Sequence, residues 1–162
     1  MQAGLNNQSG QYKTMSNIIF PHNKLTLPGL FIERSEKTPD RTAYKYFDQE
    51  TKTWETSTWS EMSQEVARWQ AALKKEHLHP GDKIAIMLPN CREWIMMEQA
   101  ALGLGLVIVP LFTNDRADNV AYILQDASVK LLIVEGQWHL QQFQTIHSPL
   151  DCQVLLLSLR PF

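Results

Sequence analysis

The chain has 162 residues, 44% of them hydrophobic and 20% charged, with a formal net charge of −2. That length suits one domain able to bury about two-thirds of its unfolded surface, and the charge balance leaves no footprint for nucleic acid or an anionic membrane surface. Cys91 and Cys152 form neither a disulfide framework nor a CxxC pair, which points to the reducing cytoplasm.

No cationic stretch followed by an apolar one marks the start as a secretory signal. Residues 1–24 are rich in Asn, Gln and Ser and read as a loose arm in which Ile18–Phe20 is apolar enough to dock. The folded unit is expected over residues 25–162. Leu27, Leu30, Phe31 and Arg34 stand at helical spacing, with Pro28 well placed in a first turn. Thr38-Pro39-Asp40 signals a turn. Ala43–Phe47 and Lys52–Thr56 read as two strands around the polar loop Asp48–Thr51, an antiparallel hairpin. Thr58 and Glu61 then make a capping-box pattern. Met62, Val66, Trp69 and Leu73 follow as the apolar stripe of a helix, and Lys74 and Lys75 suit its negative end.

After the Pro80-Gly81-Asp82 turn comes the stretch around which the chain is organised, Lys83 to Phe112. Two short apolar runs, Ile84–Leu88 and Leu106–Phe112, flank a segment with helical punctuation. Pro89 stops the first run. Asn90 reads as a helix N-cap and Glu93 as its capping-box partner, which predicts a loss of ~1 kcal/mol for Asn90→Ala. Trp94, Met97, Ala101 and Leu104 recur on one face while Ile95, Met96 and Leu102 add apolar surface elsewhere, so the helix is expected to be buried. Gly103 and Gly105 can close it in the left-handed conformation. The same stretch is too short for a transmembrane span: its uncharged part, Ala100–Phe112, has thirteen residues against the ~20 required.

Thr113–Asp118 opens a third helix carrying Val120, Ala121, Ile123 and Leu124. Lys130–Glu135 is a buried strand, Trp138–Ile146 a weaker helix closed by Ser148-Pro149, and Gln153–Leu159 a last strand. Strands alternating with helices define the fold class: α/β, doubly wound, a mainly parallel sheet with flanking helices, plus the N-terminal antiparallel hairpin.

The sequence holds few candidates for chemistry. Gly103-Leu104-Gly105 has Ile108 where a dinucleotide fingerprint needs a glycine, and it ends a helix instead of opening one. No GxxxxGK[ST] loop occurs. His77-x-His79 lacks a third metal ligand at suitable spacing, and His139 and His147 have no partner pattern. Cys91 follows the expected cap, where a helix N-terminus lowers a thiol pKa, but no histidine accompanies it. Glu135 closes a strand at the edge where doubly wound proteins bind ligands. An acidic pair of the response-regulator type is missing, because Met87-Leu88-Pro89 holds its place.

The order of signals nonetheless resembles a known family. Arg34-Ser-Glu-Lys-Thr-Pro-Asp-Arg-Thr-Ala43, Thr58-Trp-Ser-Glu-Met62, Pro80-Gly-Asp-Lys-Ile-Ala85, and Leu88-Pro-Asn90 with Glu93-Trp94 are similar to the N-terminal region of the acyl-CoA synthetases. These belong to the adenylate-forming superfamily, with luciferases and peptide-synthetase adenylation domains. Val109-Pro-Leu111, Asn119-Val-Ala-Tyr-Ile-Leu124 and Lys130–Val134 continue the match in the same order, and Pro110–Leu124 most resembles the long-chain fatty-acid members.

The resemblance implies a parent enzyme that activates a carboxylate with ATP and magnesium and passes the acyl group to coenzyme A. Its Ser/Thr/Gly-rich phosphate loop, aromatic-Gly-x-Thr-Glu segment, ribose-binding Asp and C-terminal lysine have no counterpart here. No catalytic, cofactor-binding or metal residue therefore carries over, and substrate-binding residues are unassigned. The expectation is a scaffold fragment of a fatty-acid–CoA ligase, inactive alone, whose partner is the remainder of the synthetase, with fatty acid, ATP and CoA as ligands of the full-length enzyme. A stand-alone binding module, or a fragment of an aryl- or amino-acid-activating member, is the alternative. The apolar Gln153–Leu159 strand raises the further expectation of a homodimer through an open edge.

Overall fold

The computed structural model of the chain describes residues 26–48, 50–136, 141, 143 and 151–157. Its elements, in order, are α1 (Leu27–Lys37), β1 (Thr42–Asp48), β2 (Thr53–Thr58), α2 (Trp59–Leu73), a short 3-10 turn (Lys74–Glu76), β3 (Lys83–Met87), α3 (Arg92–Gly103), β4 (Val107–Pro110), α4 (Ala117–Asp126), β5 (Val129–Glu135) and β6 (Gln153–Leu157). The expected arm (residues 1–24), the segment around His139 and His147, and residues 158–162 lie outside the described residues. Of the expected Trp138–Ile146 helix, Gln141 and Phe143 are described, and both are helical.

β1 and β2 pair antiparallel as a separate two-stranded sheet. Asp48 makes the turn between them: its Oδ1 accepts from the amides of Glu50 at 2.8 Å and Thr51 at 3.0 Å. Lys52 takes φ 57°, the left-handed region, so it belongs to the turn and the second strand starts one residue later than the sequence pattern suggests. Beyond the turn, Phe47 faces Trp54 across the strands with ring centroids 5.6 Å apart, a cross-strand aromatic pair that holds the register.

The other four strands form one parallel sheet in the order β4-β3-β5-β6. Alternation along the strands sorts their side chains onto two faces. Ile84, Ile86, Leu131, Ile133, Leu155 and Leu157 share a core with residues of α1, α2 and α3. Ala85, Met87, Leu132, Val134 and Val154 share a second core with Val120 and Leu124 of α4 and with Phe143. Both faces are thus covered, which is why β3 and β5 read as unbroken apolar runs: neither face can spare a polar residue. The fold is doubly wound α/β with an added hairpin. Its edges differ. β4 is four residues long and ends in Pro110, which an edge strand tolerates, whereas β6 carries no proline or charge, and Leu156 stands 41% exposed.

Helix α2 begins with a complete capping box. Thr58 Oγ1 accepts from the Glu61 amide at 3.2 Å, and the Glu61 carboxylate accepts from the Thr58 amide at 2.7 Å. These bonds, led by the Thr58 amide and then its hydroxyl, hold the Glu61 carboxyl below its usual range. Met62, Val66 and Leu73 turn inward and Trp69 is half-buried, as the helical stripe requires. Thr58→Ala is expected to cost about 1 kcal/mol in urea unfolding. A depressed carboxyl pKa contributes stability above the unfolded value and loses it as pH falls through the folded one. The acid limb of stability should therefore be shallower in Thr58→Ala than in the parent. An unchanged midpoint would show that the box contributes nothing.

The cap of α3 corrects the sequence reading. The N-cap is Cys91, not Asn90, the helix opens at Arg92, and no side-chain hydrogen bond closes the cap. Asn90 lies exposed one residue upstream, so no Asn90–Glu93 box forms and Asn90→Ala is expected to stay within about 0.5 kcal/mol of the parent. At the other end Gly103 remains helical, and Gly105 alone takes the left-handed conformation, at φ 74°. A Cβ there would approach Pro80 Cβ to 3.2 Å, because Gly105 packs on the Pro80-Gly81 turn and its carbonyl accepts from the Gly81 amide at 2.8 Å.

Candidate functional site

The strand order creates one place where this sheet can receive a ligand. From β3 the chain moves outward through α3 to β4, then crosses back through α4 on the opposite face to β5. α3, which leaves β3, packs on one face of the sheet, and Phe143, which follows β5, packs on the other. Ligands of open α/β sheets bind outside the carboxyl ends of the strands at such a switch point. Here its rim is Leu88–Cys91 after β3 and Glu135-Gly136 at the end of β5. Leu88 is buried beneath it, Pro89 and Glu135 are half-buried, and Asn90 is exposed. Gly136 sits at φ 66° with nothing within 4 Å of a would-be Cβ.

Arg92, which the sequence reading passed over, is the organising side chain of this rim. Its Nη1 donates to Ser57 Oγ at 3.1 Å and to Tyr46 Oη at 3.3 Å, and its guanidinium lies 4.8 Å from the centroid of the Tyr46 ring. Nη2 is 3.6 Å from the Glu93 carboxylate, while Nε is buried without a hydrogen-bond partner. A cation at a helix N-terminus opposes the helix dipole. The hairpin hydroxyls, the Tyr46 ring and the neighbouring carboxylates Glu93 and Glu61 offset that penalty. The result is a clamp that fixes the β1–β2 hairpin against the first turn of α3. No local pattern announces it, since its partners lie 46 and 35 residues upstream.

Cys91 sits on the same turn, and there the lowering that a helix N-terminus gives a thiol does not prevail. Burial pushes its thiol up to about 11, outweighing the lowering by the Trp94 amide, which faces the sulfur without closing the cap. Half-buried and packed against the helical core, the thiol is held in its protonated form, which disfavours thiolate chemistry. Burial, with the nearby Asp151 carboxylate, also raises Cys152. A rise from the ordinary 9.0 to about 11 leaves about a hundredth of the usual thiolate, so iodoacetamide at pH 7.5 should alkylate Cys91 about a hundredfold more slowly than a free thiol. Mass spectrometry of the Cys91 peptide reads this directly, and labelling at the free-thiol rate would restore an activated cysteine.

The remaining candidates do not converge. His77 takes the left-handed conformation at φ 54° and is exposed; His79 Nδ1 lies 3.7 Å from Asp82, whose carboxylate accepts from the His79 amide at 2.8 Å. Among the described residues, no three or more His, Cys, Asp or Glu side chains gather to hold a metal ion, and no helix is long and apolar enough to cross a membrane. What the rim can do is position backbone: two loops, one helix N-terminus and a hairpin buttress, with Arg92 committed to the hairpin.

This architecture has relatives. The chain is 28% identical over 136 residues to gramicidin S synthase 2 of Aneurinibacillus migulanus, an alignment covering 84% of the chain and 3% of that protein. It is 34% identical over 113 residues to the long-chain-fatty-acid–AMP ligase FadD26 of Mycobacterium tuberculosis, covering 66% of the chain and 19% of the ligase. The N-terminal subdomain of Klebsiella oxytoca NpsA, solved in complex with 3-hydroxyanthranilyl-AMSN, matches with a TM-score of 0.65 at 25% identity, over 80% of this chain and 30% of that one. The chain thus spans only a small part of each of these proteins. Residues 31–160 match the AMP-binding enzymes, a span that takes in the hairpin, the Arg92 clamp and the whole parallel sheet, and the chain belongs to that adenylate-forming family.

Proposed function

We propose that this chain supplies scaffold to a fatty-acid–CoA ligase: an enzyme that joins a fatty acid to AMP at the expense of ATP and then transfers the acyl group to coenzyme A. The observation that carries the fatty-acid reading is the 34% identity to FadD26. In this reading the parallel sheet and its two cores hold the switch-point rim in place, the Arg92 clamp keeps the hairpin seated beside it, and the remainder of the synthetase is the chain's partner. The free cysteines Cys91 and Cys152 support a cytoplasmic location.

The residues present do not fit ATP and magnesium by themselves. A polyphosphate needs a run of free amide N–H groups, usually glycine-rich and backed by a lysine. The Leu88–Cys91 loop has Pro89, which lacks an N–H, and the Arg92 guanidinium is engaged by Tyr46 and Ser57. The carboxylate, nucleotide and CoA chemistry is accordingly assigned to sequence outside this chain. The isolated polypeptide is expected to release no pyrophosphate from ATP and palmitate above a no-protein blank. A micromolar ATP dissociation constant by titration calorimetry would overturn that assignment.

The similarity to gramicidin S synthase 2 and to the NpsA subdomain favours a second reading, scaffold of an amino- or aryl-acid-activating member. A third is a stand-alone binding module derived from the fold. Sequencing the transcript past the Phe162 codon separates ligase from module. A Ser/Thr/Gly-rich phosphate loop ending in Pro-Lys-Gly supports the ligase reading, and a stop codon supports the module. Pyrophosphate exchange by the encoded protein with palmitate, aryl acids and amino acids then identifies the acid.

A further inference from the structure

We draw no further inference here: the strongest candidate, the outer edge of β6 with Leu156 exposed beside Val154, carries nothing because nothing in the structure shows what covers it.

Discussion

Ile133→Ala should lower the unfolding free energy by about 2–5 kcal/mol, the range for truncating a large aliphatic side chain in a closed core. Ile133 sits mid-way along β5, paired with Ile86 on one side and Leu155 on the other, and has no solvent exposure. Its side chain lies on the three-helix face, sharing that core with Met97 of α3 and Met62 of α2. Deleting three carbons there removes transfer energy and leaves a cavity between a sheet and helices that cannot easily collapse. Two further variants calibrate the result. Ile133→Val should cost about 0.5–1.5 kcal/mol, and Leu156→Ala, at an exposed position on the neighbouring strand, within about 0.5. Urea unfolding of the three decides it. Equal midpoints for Ile133→Ala and Leu156→Ala would mean that β5 is not the centre of the sheet.

Arg92→Ala should cost about 1.5–3 kcal/mol, as hydrogen bonds to a charged group do, and the loss should concentrate in the hairpin. Ser57 is 4% exposed, so without Arg92 its hydroxyl is left buried beside a void. Tyr46 loses both a donor to its hydroxyl and a cation over its ring. The β1–β2 sheet is separate from the parallel sheet, and it leans on the rest of the fold through this clamp and through Tyr44, whose ring packs on Trp59, which in turn meets Phe31 edge-on. Hydrogen exchange should therefore show faster amides in Thr42–Thr58 and unchanged ones in β3 and β5. Arg92→Lys should recover little, because an ammonium has no planar fork to span Ser57 and Tyr46 while stacking on the ring. Uniform acceleration across the whole chain, or full rescue by lysine, would refute the clamp.

Several features could be read from residue order alone, for reasons that are local. A capping box is four residues of chemistry, and Thr58-Trp-Ser-Glu61 forms in the structure as its pattern requires. β3 and β5 announced themselves because strands covered on both faces must be continuously apolar. The hairpin followed from a polar turn between two alternating segments. Family membership rested on several short motifs in the right order, which no three-dimensional knowledge was needed to see. The local pattern was wrong by one residue at α3. Asn90 and Glu93 have the spacing of a box, yet the helix opens at Arg92 behind Cys91, where Arg92 meets the hairpin. Hydrogen bonds to Ser57 and Tyr46, made across 35 and 46 residues, are invisible to any short window. The direction of the Cys91 pKa was hidden from the sequence for a related reason. A helix N-terminus lowers a thiol pKa, but how far burial raises it depends on what packs around it, and here burial wins.

The amino-acid sequence by itself determined the class of the described strands and long helices and the family, since period, capping chemistry and turn residues act within a few positions. Tertiary structure alone decided the strand order β4-β3-β5-β6, the switch-point rim that this order creates, and the role of Arg92. Parallel strands are joined by long crossovers, so neighbours in the sheet are not neighbours in the chain, and nothing in a strand's own residues says which partner it will take.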